Sequence, residues 1–148
     1  MMFAKNIYLC EDDTDDVEFF QEALNTVDGS FNLTVSCNGF ELLDQLKKCT
    51  HTLPDLIILD INMPKMNGLE TLKAIKKNPA YAAIPVVLYS TCAEEEYIQY
   101  AHANGAHYYF VKPYEFGTLK LYIKKLLSIN WKSSIITPNF RDFVFIVS

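Results

Sequence analysis

No stretch of this chain approaches the ~20 consecutive apolar residues that a membrane helix needs. The stretch Met-Met-Phe-Ala-Lys-Asn before the first strand candidate is short, so no signal peptide is expected there. There is no basic surplus: 13 Lys and Arg face 18 Asp and Glu, for a net charge of −5. That balance argues against non-specific nucleic-acid binding, which needs cations to neutralise phosphates. No Cys-x-x-Cys pair exists among Cys10, Cys37, Cys49 and Cys92. Metal and disulfide readings of the cysteines therefore have no positional support, and they read as reduced thiols of a cytoplasmic protein. Internal repeats, low-complexity segments and a linker to a second domain are also missing. What is present is a globular composition, 50% hydrophobic and 21% charged over 148 residues, enough for one domain with a real core.

Short apolar runs alternate with amphipathic segments. Strands are expected at Asn6–Cys10, Phe31–Ser36, Leu56–Leu59, Val86–Tyr89 and Tyr108–Val111. Helices are expected at about Asp15–Val27, Glu41–Lys48, Leu69–Lys77, Glu94–Ala103 and Phe116–Leu127. In the first helix Val17, Phe20, Leu24 and Val27 form one apolar face, with Thr14 as its N-cap. The repeating βα pattern implies a parallel sheet with helices on both faces. Leu56–Leu59 and Val86–Leu88 are continuous apolar runs, as expected for strands buried on both sides. Phe31–Val35 alternates, as expected for an edge. The pattern fits an α/β, flavodoxin-like (βα)5 doubly wound parallel sheet of strand order 2-1-3-4-5.

Ligands in such sheets sit outside the carboxyl ends of the strands. Glu11-Asp12-Asp13 follows strand 1, Asp60-Ile61-Asn62 follows strand 3, Ser90-Thr91 follows strand 4 and Lys112-Pro113 follows strand 5. Carboxylates, a hydroxyl and an amine thus converge on one edge. Clustered carboxylates require a cation, and a few oxygen donors suit Mg²⁺. A carboxylate beside Mg²⁺ can attack phosphorus to give an acyl phosphate, and a neighbouring lysine can grip the incoming group. Each signal alone is weak, since acidic doublets are usually solvated turns and Lys-Pro pairs are usually loop punctuation. Four coincidences at the correct strand ends outweigh the plainer reading of an α/β domain with an acidic rim.

These residues resemble the receiver domains of two-component response regulators across about residues 5–127. The matching text is Ile7–Asp13, Leu56–Gly68, Pro85–Ser90 and Tyr109–Pro113, in order and at family spacing. The segment Glu11-Asp12-Asp13-Thr14-Asp15-Asp16 looks closest to small stand-alone, chemotaxis-regulator-like members, including those that serve bacterial phytochromes. The resemblance implies that Asp60 accepts phosphate. It makes Asp12 a direct Mg²⁺ ligand, with Glu11 assisting and the Asn62 carbonyl contributing alongside Asp60. Lys112 would pair with the carboxylate and then the phosphoryl group, Ser90 would be the switch hydroxyl and Tyr109 the switch aromatic. A cis Lys112-Pro113 bond is also implied. Asp13 is expected to be a polar loop residue rather than a ligand, and His51, His102 and His107 match no phosphotransfer motif. Thr91 and Cys92 depart from the commonest family residues and predict slow phosphoryl turnover.

The function implied is two-component signal transduction. A histidine kinase or phosphotransfer protein donates phosphate, and the loaded state changes binding of an output protein through the face of helix 4, strand 5 and helix 5. No enzymatic activity is expected beyond its own phosphorylation and dephosphorylation. The alternatives are an aspartyl-phosphate phosphatase-type enzyme and a phosphorylation-independent binding module. The first lacks an Asp two residues after its nucleophile, where Asn62 stands; the second fits poorly with an intact acidic set. Neither nucleic acid nor membrane is an expected partner. Residues 128–148 are read as a C-terminal extension, too short for an output domain. The extension is apolar, with Trp131, Ile135, Ile136, Phe140 and Phe143–Val147. Pro138 is expected to mark a turn, and Phe143, Phe145 and Val147 to share one face of an extended segment. Packing near helix 5 or a sheet edge is expected, with a homodimer role left open.

Overall fold

The computed structural model describes residues 5–49, 52–131 and 143–145. The elements run β1 (Asn6–Cys10), α1 (Thr14–Asn25), β2 (Asn32–Ser36), α2 (Gly39–Lys48), β3 (Leu56–Leu59), α3 (Gly68–Lys77), β4 (Val86–Ser90), α4 (Glu95–Ala103), β5 (Tyr108–Val111), α5 (Phe116–Ser128) and β6 (Val144–Phe145). The first five strands are parallel in the order β2-β1-β3-β4-β5, the doubly wound order expected from the sequence. Among the described residues no helix is long and apolar enough to cross a membrane.

Burial follows the strand texts. Every residue of β3 and β4 is buried, whereas β2 at the edge ends its half-buried run only at Ser36. One core lies between the sheet and α1 with α5, and includes Leu9, Phe20, Ile58, Tyr89, Phe110 and Leu119. The other lies beneath α2, α3 and α4, and includes Leu42, Ile57, Leu59, Leu72, Ile98 and Tyr109. The alternation of side chains along a strand feeds both cores: Ile58 faces one and Ile57 and Leu59 the other.

Two features differ from the sequence reading. The cap of α1 is Asp13, not Thr14. Asp13 has extended backbone, and its Oδ1 accepts from the N–H groups of Asp15 at 2.9 Å and Asp16 at 3.3 Å. Both residue types cap well, so the choice rests on where the chain leaves β1. The sheet also gains a sixth strand: β6 runs parallel to β5, with Tyr109 opposite Val144 and Phe110 opposite Phe145. Trp131 is buried against the rings of His107 and Tyr108, and its Nε1 donates to the Leu126 carbonyl. Phe143 is fully buried, with its ring edge-on to His102 at 4.9 Å. His51, Ile135, Ile136, Pro138, Phe140, Ile146 and Val147 lie outside the described residues.

Candidate functional site

Backbone ladders deliver the polar residues to one edge. The Glu11 N–H donates to the Ser36 carbonyl, Asp60 N–H to Cys10 and Lys112 N–H to Ser90, each at 2.9–3.0 Å. These bonds extend the strand pairings by one residue, so the side chains emerge from a rigid rim. The loop after Asp60 is tight. Gly68 starts α3 against the Asp60 carbonyl, where a Cβ would overlap that oxygen, and its N–H donates to the Ile61 carbonyl at 2.9 Å. Lys65 takes a positive φ of 66° within this loop. Asn67 and Glu70 close the start of α3 with reciprocal side-chain to backbone bonds.

Glu11, Asp12 and Asp60 come together. Each places a carboxylate oxygen so that the three lie within 4.8 Å of one another. Glu11 and Asp60 are buried and Asp12 is exposed. Lys112, with only 8% of its side chain exposed, reaches into the same group. Its Nζ donates to Glu11 Oε1 at 2.8 Å and to Asp16 Oδ2 at 2.9 Å, and stands 3.6 Å from Asp60 Oδ1. It also lies 5.1 Å from the centre of the Tyr89 ring. Burial, then the neighbouring carboxyls of Asp60 and Asp16, push Glu11 well above the usual carboxylate range, against the pull of Lys112. For Lys112, burial opposes the charge, but hydrogen bonds to Glu11 and Asp16 and the field of Asp60 outweigh it and raise its pKa. The group thus carries more acid than its one cation balances.

Among the described residues, nothing donates a hydrogen bond to the buried Glu11 Oε2. A buried, partnerless carboxylate oxygen beside two further carboxylates is a hard-oxygen donor set short of a cation, which fits Mg²⁺. Asn62 is exposed two residues after Asp60. Asp13 is spent on capping α1 and stands outside the carboxylate group.

The sequence reading missed Asp16. It lies in the first turn of α1, and its contact with Lys112 spans 96 positions of chain. The one available signal was the density of acids from Glu11 to Asp16. Burial opposes its charge, but the neighbouring Glu11 carboxyl, the hydrogen bond donated by Lys112 and the charge of Lys112 bring Asp16 below its ordinary value.

Ser90 and Tyr109 are both fully buried. Ser90 Oγ accepts from the Cys92 N–H at 3.1 Å, and the Tyr109 hydroxyl donates to the Cys92 carbonyl at 2.6 Å. The loop carrying Thr91 and Cys92 is therefore tied to both. Thr91 is exposed and joins Asp15, Asp16, Phe19, Tyr89 and Lys112 around a cleft of about 290 Å³. The Lys112-Pro113 peptide is trans, contrary to the cis form implied by resemblance; trans is the default even before proline.

Comparison with known proteins agrees with this geometry. The family model described as response regulator receiver domain matches residues 7–124. The probable C4-dicarboxylate response regulator DctR of Bacillus subtilis is 31% identical over 119 residues, covering 80% of this chain and 50% of that protein. The chain spans about half the length of the curated relatives it matches. The crystal structure of the phosphorylated cyanobacterial phytochrome response regulator RcpA superposes with a TM-score of 0.79 at 31% identity, over 92% of this chain and 99% of that one. The chemotaxis response regulator CheY4 of Vibrio cholerae gives a TM-score of 0.70 at 27% identity, over 84% and 99%. With the parallel order, the acidic group at the strand ends and the family match running from β1 into α5, the chain belongs to the response regulator receiver domains of two-component systems.

Proposed function

We propose that this receiver takes a phosphoryl group onto Asp60 from a histidine kinase or phosphotransfer protein, in the cytoplasm, and then changes its affinity for an output protein. The observation that carries this reading is the convergence of Glu11, Asp12 and Asp60 within 4.8 Å, beside the buried ammonium of Lys112. In the reaction, an Asp60 oxygen attacks phosphorus, the donor's P–N bond breaks, and its electron pair returns to the imidazole nitrogen. Glu11, Asp12, Asp60 and the Asn62 carbonyl would hold Mg²⁺, which when bound neutralises charge on the phosphoryl oxygens. Lys112 would take one of those oxygens. Its short distance to Asp60 supports this role, because only a small movement is needed.

Ser90 and Tyr109 would carry the switch. Both are tied to Cys92, so a Ser90 hydroxyl that turns to the phosphoryl group loosens a loop that Tyr109 also holds. The readout would be the face of α4, β5 and α5, where Tyr100 is exposed and Tyr97 and Tyr122 are half-buried. Residues 5–127 would form the signalling unit and 128–148 its extension. No reaction beyond the receiver's own phosphorylation and dephosphorylation is assigned to it, and Thr91 at the cleft would slow the approach of water to the acyl phosphate. The test is intact-mass analysis after treatment with acetyl phosphate and Mg²⁺. One hydroxylamine-sensitive phosphate is expected in the wild type and none in Asp60→Asn; equal modification of both would overturn the assignment.

A further inference from the structure

Lys112 is shared unequally among three carboxylates. Glu11 and Asp16 hold it at 2.8 and 2.9 Å, and Asp60 lies 3.6 Å away. We propose that Asp16 is a positioning residue that keeps the Lys112 ammonium off Asp60 until a phosphoryl group arrives. The inference rests on Asp60 as the acceptor and adds a residue to that site.

The two close partners differ in what they can do when the lysine leaves. Glu11 has 1% of its side chain exposed, so losing Lys112 would leave its Oε1 buried without that donor. Asp16 has 40% exposed and stands at the rim of the cleft lined by Asp15, Phe19, Tyr89 and Thr91. Water can replace the lysine there at small cost. Asp16 is therefore the partner that Lys112 exchanges for a phosphoryl oxygen. Its place is fixed by the start of α1, where Asp13 accepts from the Asp16 N–H itself. Removing Asp16 would leave Lys112 free to lean on Asp60 in the resting state. It would also remove a competitor when the phosphoryl group must be gripped.

The experiment compares wild type, Asp16→Asn, Asp16→Ala and Asp16→Glu in the full chain. Initial loading by phosphoramidate with Mg²⁺ is followed by intact mass. Asp16→Asn should load roughly fivefold faster, the scale of one charge-assisted contact to a partly exposed carboxylate. Asp16→Ala should load at least as fast, and Asp16→Glu should stay near wild type. A loss of helix stability alone would not speed loading. The second measurement needs no phosphate: the side-chain ¹³Cε–¹⁵Nζ signal of Lys112 should shift in Asp16→Asn and stay near its place in Asp16→Glu. Unchanged or slower loading in Asp16→Asn, or an unmoved Lys112 signal, would overturn the proposal. If wild type takes no phosphate, the acceptor reading fails, and the Lys112 signal still decides whether Asp16 holds the lysine.

Discussion

Strand β5 is held in two opposite ways. Past its carboxyl end, Lys112 sits in a polar group where buried carboxylates outnumber the cation and, among the described residues, one oxygen has no hydrogen-bond partner. Along its outer side the contacts among the described residues are largely aromatic. Trp131 covers His107 and Tyr108, Phe143 packs on His102 and near Tyr109, and β6 pairs with the strand edge. The first region stores unfavourable electrostatics where chemistry is proposed. The second supplies packing that can offset it and pairs the edge of β5 at Tyr109 and Phe110. Removing a carboxylate from the first should therefore raise stability, whereas removing a ring from the second should lower it.

The largest effect is expected on the aromatic side. Trp131→Ala should cost about 3 to 4 kcal/mol, as for other large buried side chains, with loading of Asp60 by small donors unchanged. Chemical denaturation and intact mass check the two halves of that statement. A loss under about 1 kcal/mol would mean that the aromatic side contributes little and would break the comparison. In the polar group, Lys112→Met should cost about 2 to 3 kcal/mol in Mg²⁺-free buffer, because it leaves buried carboxylates uncompensated. Added Mg²⁺ should return part of that loss, since a bound cation does the same neutralising. Melting curves with and without the ion give the answer, and an ion-independent loss would point to packing of the lysine stem instead.

Asp60→Asn should have the reverse sign. An amide keeps the volume and removes one of the charges crowded around Lys112, so the variant should gain about 1 to 2 kcal/mol without Mg²⁺ while losing its phosphate. A destabilised Asp60→Asn would show that the carboxylate group is not under electrostatic strain.

The strands and most of the site edge could be read from the sequence for one reason. In a parallel sheet every strand delivers its next residue to the same edge, so Glu11, Asp12, Asp60, Ser90 and Lys112 needed only correct strand ends. Continuous apolar runs marked β3 and β4 unambiguously. Asp16 was not legible because its contact depends on the rotation of α1 about its axis relative to a lysine at the far end of the sheet. For strand β6 the sequence supported packing near helix 5 or a sheet edge without choosing the partner strand. Apolar side chains alone name no partner strand, and the pairing of Val144 with Tyr109 and Phe145 with Phe110 supplies it.

The smallest effect concerns the single position by which the start of α1 was misread. Asp13→Ala should cost about 1 kcal/mol, the usual value of an N-cap, whereas Thr14→Ala should cost no more than roughly 0.3 kcal/mol because Thr14 makes no cap bond. A competing term exists: Asp13 is one of five acids between Glu11 and Asp16, and removing its charge relieves repulsion. Asp13 is exposed, so screening holds that relief to a few tenths of a kcal/mol and the lost cap prevails. Asp13→Asn separates the two terms, since asparagine caps as well as aspartate without the charge, and it should be neutral or slightly stabilising. The same series sharpens the contrast between the two sides of β5. If Asp13 sets the first turn that aims Asp16 at Lys112, then Asp13→Ala should load Asp60 faster than wild type, in the direction of Asp16→Asn, and Asp13→Asn should not. Equal loading rates in the two Asp13 variants would separate the helix cap from control of the lysine.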